Sequence, residues 1–149
     1  MLFRSYATEH GPSGLPGGRD ELNYIEPGKN YGWPSITGEE TRSGMVVPIL
    51  QSGLSETWAP GGAAFVTQGN WSGSLLFTGL RGQTLYRVTL DSGNPRKVLT
   101  FERLLSGKFG RLRDVAQGPD GSIYMLTSNR DGRGQPSAGD DKILRLMIR

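Results

Sequence analysis

Short apolar stretches alternate with breaks rich in glycine, proline and asparagine along almost the whole chain. Ten stretches of four to nine residues are rich in β-branched and aromatic side chains, which is typical of β-strands. No stretch shows sustained helical periodicity with capping residues, so we expect little helix. The predicted strands are Leu2–Ala7, Glu21–Glu26, Val46–Leu50, Ala63–Thr67, Ser74–Leu80, Thr84–Leu90, Lys97–Leu105, Asp114–Gln117, Ser122–Ser128 and Lys142–Ile148.

A weak internal repeat relates two parts of this strand pattern. The segment Gly73–Thr78 resembles Gly121–Leu126, and Leu85–Val88 resembles Ile143–Leu146. The second spacing is longer because the polar segment Asn129–Asp141, which reads as a surface loop, lies between the later pair. A repeat of about 40–50 residues with four strands is the size of one β-propeller blade.

The fold class predicted from these patterns is all-β, with four-stranded antiparallel sheets arranged as propeller blades. We treat residues 1–149 as one partial propeller domain, because no linker divides the chain. A two-sheet β-sandwich could use the same strands, but it would not explain the repeat. Tight hairpins are expected at Asp91–Asn94 and Pro119–Gly121, where Gly and Asn adopt positive φ at little cost.

Composition excludes several kinds of chemistry and partner. The chain has no cysteine, which rules out disulfides, thiolate metal sites and cysteine nucleophiles. No apolar run approaches the roughly 20 residues that span a bilayer. Residues 81–149 carry 13 basic and 7 acidic side chains, an excess that suggests an anionic partner. The arginines are dispersed and no nucleic-acid motif is present, so we do not expect nucleic acid to be that partner.

The first forty residues combine tight turns with carboxylates, as sites for hard cations do. Gly11, Pro12 and the Pro16–Gly18 turn can present carbonyl oxygens, and calcium binds a mixture of carbonyl and carboxylate oxygens. The spacing does not match an EF-hand loop, so the fold would have to assemble the site. A solvated turn followed by an edge strand explains the same residues. The carboxylates considered as candidate ligands are Asp20, Glu21, Glu26, Glu39 and Glu40.

Three arginines could form a second constellation. Arg111 and Arg113 alternate with Leu112 and would share one face of a strand, while Arg81 lies at a predicted turn. Together they could bind carboxylates, although an ordinary polar strand face is the simpler reading. Trp58 is expected to pack rather than line a pocket. His10 is the one histidine and lies beside Gly-Pro, so it reads as a loop residue rather than a catalytic base.

Seven short motifs follow one another along the chain. They are Glu-His-Gly-Pro at 9–12, Gly-Gly-x-Asp-Glu-Leu-Asn at 17–23, Asn-Tyr-Gly-Trp-Pro at 30–34, Ala-Pro at 59–60, Gly-x-x-Gly-Gln-x-Leu at 79–85, Arg-x-Arg-Asp-Val at 111–115 and Gln-Gly-Pro-Asp-Gly at 117–121. In this order the motifs resemble the C-terminal part of the soluble PQQ-dependent aldose sugar dehydrogenases of the glucose and sorbosone type, which are six-bladed β-propellers. The resemblance covers nearly the whole chain.

The resemblance implies two cofactors, PQQ and calcium, and a role for each motif. Gly11 and Pro12 would offer carbonyl oxygens to the calcium ion that lies against PQQ. Glu21 and the carbonyl of Tyr31 would hold a second, structural calcium ion. The residues that would contact PQQ are Arg81, Arg111, Arg113 and Thr57. A planar tricarboxylate beside a divalent cation suits such an arginine cluster.

The resemblance also implies limits on what the chain does. The parent enzyme would oxidise the C1 hydroxyl of an aldose to a lactone by hydride transfer to PQQ, in the periplasm or outside the cell. The family's catalytic histidine comes from an earlier blade, so we assign no catalytic residue here and expect the chain alone to be inactive. Self-association, or pairing with the missing N-terminal half, would complete the ring. Two alternatives remain: a non-catalytic calcium-binding propeller fragment that binds carbohydrate or a protein, and a purely structural β-domain.

Overall fold

A computed structural model describes residues 5–13 and 17–148 of the chain. Within these ranges the fold is all-β, as predicted, and contains ten strands and no helix. None of the described residues forms a helix long and apolar enough to cross a membrane. The strands are β1 (Ser5–Glu9), β2 (Glu21–Ile25), β3 (Leu50–Gln51), β4 (Pro60–Phe65), β5 (Leu75–Gly79), β6 (Thr84–Leu90), β7 (Val98–Leu104), β8 (Leu112–Gln117), β9 (Ile123–Thr127) and β10 (Ile143–Leu146).

The strands form three antiparallel sheets that follow one another along the chain. Their orders are β1-β2-β3, β4-β5-β6-β7 and β10-β9-β8. Among the described residues, the prediction of four strands per sheet is therefore right for the second sheet and wrong for the first and third, which have three strands each. The third predicted strand is also displaced, because residues 46–49 run as an extended loop before β3. The part of the first predicted strand before Ser5 lies outside the described residues.

The second sheet is covered on both faces, which explains why its central strand is continuously apolar. Every residue of β5 is buried. Leu75 and Phe77 pack in a cluster with Leu22 of the first sheet, whereas Leu76 packs with Met125 and other residues of the third sheet. Strand β4 contacts both β1 and β8. Each sheet therefore packs face to face on the next, as blades of a propeller do.

The internal repeat corresponds to equivalent strands in the second and third sheets. Its two halves form β5 with β6 and β9 with β10. The Nε atom of Arg87 donates to Oγ of Ser74 over 3.2 Å, and Nε of Arg145 donates to Oγ of Ser122 over 3.0 Å. The repeat thus preserves a cross-strand hydrogen bond as well as the apolar pattern.

The connections between strands place the loops that matter for function at one end of the sheets. Because successive strands are antiparallel, every second connection emerges at the same end. These connections are β1–β2, β3–β4, β5–β6, β7–β8 and β9–β10. The predicted hairpins join β6 to β7 and β8 to β9 at the other end. In the first of them, Oδ1 of Asp91 accepts hydrogen bonds from the backbone N–H groups of Gly93 and Asn94.

Candidate functional site

One cleft of about 480 Å³ lies where these five connections meet. Each connection contributes at least one residue to its wall. Five of the predicted site residues line it together, namely Gly11, Pro12, Thr57, Arg81 and Arg111. Arg113 lines an adjoining cleft of about 400 Å³ that shares Arg111 with the first. The structure therefore brings the three arginines to one region, on the same side as the Gly-Pro turn.

A buried carboxylate fixes the β1–β2 connection against the β3–β4 connection. Asp20 is only 3% exposed. Its Oδ1 accepts from the N–H of Gly11 over 2.9 Å, and its Oδ2 accepts from the N–H groups of Trp58 and Ala59 over 2.6 and 2.9 Å. Asp20 was expected as a possible cation ligand. In this structure its two oxygens accept from three backbone N–H groups, and these bonds hold the turn at Gly11.

Two glycines allow these connections to approach each other closely. A Cβ atom on Gly11 would overlap the carbonyl oxygen of Gly18. Gly18 itself has φ of 91° and lies against the carbonyl oxygen of Gly53. Larger side chains at either position would push the connections apart, so the shape of the cleft depends on both glycines.

The arginine side of the cleft is organised around Asp131, in the β9–β10 connection. Arg111 precedes β8 and is 8% exposed, while Arg113 lies within β8 and has an exposed side chain. Oδ2 of Asp131 accepts from Nε and Nη2 of Arg111 over 3.0 and 2.8 Å, and from Nη2 of Arg113 over 3.2 Å. The hydrogen bonds from Arg111 are the largest cause that lowers the pKa of Asp131 to about 2, so this carboxyl is ionised near neutral pH.

The other cationic residues of the cleft lack a carboxylate partner. Arg81 follows β5, is exposed, and makes no ion pair with any described residue. The side chain of Arg133 likewise pairs with no carboxylate in residues 5–13 and 17–148, and it lines both clefts. These two guanidiniums leave the region with an excess of positive charge, which suits an anionic ligand.

A separate small cavity contains the two residues predicted for the second metal site. Glu21 and Tyr31 line a space of about 10 Å³ together with Glu9, which is close to the room that a single water molecule needs. Glu9 and Glu21 are paired across β1 and β2. Burial, and then repulsion from Glu21, raise the pKa of Glu9. Two carboxylates facing each other in a confined space favour a bound cation. Arg19 lines the same space, and Oε1 of Glu21 accepts from the N–H of Gly38 over 2.7 Å.

Asn23 lies beside these carboxylates and donates to both. Its Nδ2 donates to Oε2 of Glu21 over 3.1 Å and to Oε2 of Glu9 over 3.3 Å. Its Oδ1, on the other side of the amide group from these carboxylates, is buried and has no hydrogen-bond partner within the described part of the chain. No group of three or more His, Cys, Asp or Glu side chains suited to a metal occurs among the described residues. A cation here would therefore depend on carbonyl oxygens as well as Glu21.

Other residues considered from the sequence lie away from the main cleft. Glu26 pairs with Arg96, and Glu40 pairs with Arg19 in a different groove that also contains Glu39. Trp58 is 1% exposed and packs against Phe77, Tyr86 and Phe101, so it is a core residue, as expected. His10 lines the cleft, where its Nε2 is 2.8 Å from the carbonyl oxygen of Pro60. Because that oxygen can only accept, Nε2 carries the proton.

Sequence reasoning missed two residues of the site and the role of a third. Asp131 and Arg133 were assigned only to a polar surface loop, and Asp20 was considered only as a possible cation ligand or part of a solvated turn. The one sequence signal for Asp131 and Arg133 is the density of charge in the segment Asn129–Asp141. Nothing in that segment indicates that it folds back beside Arg111, because the contact joins residues 20 positions apart.

Comparison with known proteins agrees with this architecture. A glucose-dehydrogenase-type oxidoreductase from Thermus thermophilus is 46% identical, with a TM-score of 0.83 over 97% of this chain and 41% of its own. The PQQ-bound aldose sugar dehydrogenase from Streptomyces coelicolor is 37% identical, with a TM-score of 0.78 over 95% of this chain and 39% of its own. The three sheets are thus of the type found in propeller dehydrogenases, although the number of blades is not defined by this chain.

Sequence comparison identifies the family. Residues 4–145 match the profile described as Glucose / Sorbosone dehydrogenase, and the chain belongs to that family. The aldose sugar dehydrogenase YliI of Escherichia coli K12 is 32% identical over 141 residues. An uncharacterised protein of Synechocystis is also 32% identical, over 147 residues. The chain spans about a third of these two curated relatives, 36% and 32% respectively.

Proposed function

We propose that this chain is the C-terminal portion of a PQQ- and calcium-dependent sugar dehydrogenase, equivalent to about half of a six-bladed propeller. The complete enzyme would oxidise the C1 hydroxyl of an aldose to a lactone, with hydride transfer to PQQ. The observation that carries the proposal is the single cleft in which Gly11, Pro12, Thr57, Arg81 and Arg111 meet. A purely structural domain would not need its arginines gathered beside a carbonyl-rich turn.

The cleft suits PQQ in size and in charge. Pockets for small ligands occupy roughly 300–1,000 Å³, and this cleft, at about 480 Å³, falls within that range. A tricarboxylate needs several cationic donors, and guanidiniums can bind carboxylates through two parallel hydrogen bonds. Arg81 and Arg113 are exposed and can reach a ligand, whereas Arg111 forms a buried base to the site.

The Gly-Pro turn suits the calcium ion that would accompany PQQ. Among the described residues, the carbonyl oxygens of Gly11 and Pro12 accept no hydrogen bond, so both remain available as ligands. Calcium binds such carbonyl oxygens together with carboxylates, and the carboxylates of PQQ would complete the set. Asp20 holds Gly11 in place through the backbone N–H of that residue.

A second calcium ion, with a structural role, is proposed at Glu21 and the carbonyl of Tyr31. The position of Glu9 opposite Glu21 across the two strands and the raised pKa of Glu9 support a cation in this place. The ion would lower the repulsion between Glu9 and Glu21, and so favour the pairing of β1 with β2.

The residues of this chain would bind and orient the cofactor rather than perform proton transfer. When bound, PQQ with its calcium ion supplies a quinone that can accept a hydride. Arg111 and Arg113 would hold its carboxylates, Thr57 would offer a hydroxyl group, and Arg81 would lie at the opposite wall. The Nε2–H of His10 is committed to Pro60. The catalytic base would therefore come from outside this chain, from the N-terminal half of the propeller. We infer a periplasmic or secreted location from the family alone.

Calorimetric titration of PQQ into the purified chain, with calcium and then with EDTA, tests this proposal. We expect calcium-dependent binding that weakens at least tenfold in the double variant Arg81→Gln/Arg113→Gln, because each change removes a charge-assisted hydrogen bond of about 1.5–3 kcal/mol. These two arginines are chosen because they are exposed, so the variant should fold. The matched control is Arg145→Gln, an exposed arginine at the other end of the third sheet, which should leave binding unchanged. Absence of binding, or equal binding by both variants, would refute the proposal.

A further inference from the structure

We propose that Asp131 is the positioning residue for the arginine side of the cleft. Its carboxylate holds Arg111 and Arg113 in the orientation that receives the carboxylates of the cofactor, and it fixes the turn that carries Arg133. This inference rests on the proposed function, because PQQ is the ligand whose binding it describes. Asp131 belongs to none of the motifs on which the family resemblance depends.

Asp131 is the centre of a convergent hydrogen-bond network. Its Oδ2 accepts from both Arg111 and Arg113, and Oγ of Ser128 lies 3.3 Å from the same atom. Its Oδ1 accepts from the backbone N–H of Arg133 over 3.0 Å. The side chain of Asp131 is 19% exposed. One carboxylate therefore connects β8, the end of β9 and the β9–β10 connection.

This network restricts the two guanidiniums without using all of their donors. Arg111 donates from Nε and Nη2 to Asp131, which leaves Nη1 for a ligand. Arg113 donates from Nη2 to Asp131 and to Ser128, which leaves Nε and Nη1. A free arginine side chain carries about 2 kcal/mol of rotamer entropy that binding must overcome. Asp131 removes much of that freedom before the ligand arrives.

The hydrogen bond from the backbone N–H of Arg133 to Asp131 explains how Arg133, a residue of a surface loop, comes to line both clefts. The Asp131 Oδ1 to Arg133 N–H contact spans two residues and closes a tight turn in the connection. Arg133 then stands beside Arg111 in the walls of both clefts, and no carboxylate among the described residues neutralises it there. Loss of Asp131 would therefore disturb three of the four arginines that surround the ligand.

Positioning and simple charge make opposite predictions, and this makes the inference testable. Removal of Asp131 leaves the cleft more positive, so charge alone predicts tighter binding of any anion. Loss of positioning predicts weaker binding of PQQ, whose carboxylates are held at fixed separations. A flexible tricarboxylate such as citrate needs no fixed arrangement and follows charge alone.

The experiment is to measure the affinity of the chain for PQQ with calcium, and separately for citrate, in wild type, Asp131→Ala and Asp131→Asn. For Asp131→Ala we expect about tenfold weaker PQQ binding, which corresponds to about 1.4 kcal/mol, because the arginine side chains must then be ordered when PQQ binds rather than when the chain folds. Citrate binding should be unchanged or tighter. Asp131→Asn, which keeps an oxygen acceptor, should bind PQQ more tightly than Asp131→Ala. Asp120→Ala, which removes the carboxylate paired with Arg145 at the other end of the sheet, should change neither affinity.

Each other outcome contradicts the inference. Unchanged or tighter PQQ binding by Asp131→Ala would show that Asp131 does not position the arginines. A parallel loss of PQQ and citrate binding would show a merely structural role. If circular dichroism shows that Asp131→Ala is unfolded, Asp131→Asn is compared with wild type instead. The inference then predicts that Asp131→Asn binds PQQ more weakly and citrate more tightly than wild type does. Failure of the wild type to bind PQQ would instead overturn the proposed function, and this inference with it.

Discussion

Replacement of Asp20 by asparagine tests whether one buried carboxylate holds the cleft together. The side chain connects the turn at Gly11 to the backbone at Trp58 and Ala59 through three N–H groups. Asparagine has nearly the same shape, but it presents an NH₂ group where one carboxylate oxygen now lies. If its oxygen keeps the bonds to Trp58 and Ala59, its NH₂ group must face the N–H of Gly11, and two donors then oppose each other.

The expected loss of stability follows from the number of bonds. A hydrogen bond to a charged group contributes about 1.5–3 kcal/mol, and the two bonds that remain become weaker when the charge is removed. We therefore expect Asp20→Asn to lower the free energy of unfolding by about 2–4 kcal/mol. Asp20→Ala would leave all three N–H groups without a protein partner, so it should lower the free energy of unfolding by more than Asp20→Asn does. Water that enters the cleft and accepts from these N–H groups would reduce that loss.

Urea or guanidinium denaturation followed by tryptophan fluorescence measures this change. The matched control is Asp91→Asn, in the hairpin between β6 and β7, where an aspartate also accepts two backbone N–H groups at an exposed position. Asparagine serves well in such turns, so the control should lose no more than about 0.5 kcal/mol. A loss equally small for Asp20→Asn would refute the view that Asp20 fixes the site.

Three further predictions follow from the same contacts. Calcium at a hundredfold excess over its dissociation constant should raise the free energy of unfolding by about 2.7 kcal/mol for each site, measured by thermal unfolding. Glu21→Gln should abolish the part of this stabilisation that comes from the structural site. Equal stabilisation of both proteins by calcium would contradict that assignment. Asp131 has a lowered pKa, so its stabilising effect relative to Asp131→Asn should be full above about pH 4 and vanish as the pH falls to about 2; a constant difference across that range would refute the pairing. With PQQ, calcium and glucose the chain alone should show no dye reduction, and turnover would contradict the assignment of the catalytic base to another part of the protein.

Much of the fold follows from local chemistry and could be predicted. The strands β5 and β6 were recognisable because both are bounded by turn residues and rich in apolar side chains. The repeat predicted the equivalence of β5 with β9, because a similar series of apolar residues recurs in the two strands. The exact strand count of the first and third sheets could not be predicted. Residues 46–49 have the composition of a strand, but the paired residues of β3 are Leu50 and Gln51, with one further hydrogen bond from the N–H of Ile49 to the carbonyl oxygen of Leu22.

The candidate site divides in the same way. The positions of Gly11, Pro12 and the arginines were expected from motifs, and the structure places them in adjoining clefts. The contacts that hold them there are long-range. Asp20 binds residues 38 and 39 positions further on, and Asp131 binds Arg111 from a loop that has no regular pattern. Such contacts depend on which connections meet at one end of the sheets, and a single sequence does not encode that in its local periodicity.

A crystal structure of the chain grown with PQQ and calcium would test the central claim most directly. The account predicts PQQ in the cleft between Arg81 and the Arg111–Arg113 pair, with anomalous density for calcium at the carbonyl oxygens of Gly11 and Pro12 and a second calcium peak beside Glu21 and Tyr31. Ordered PQQ at another surface, or a calcium ion that does not touch the Gly11–Pro12 turn, would contradict it.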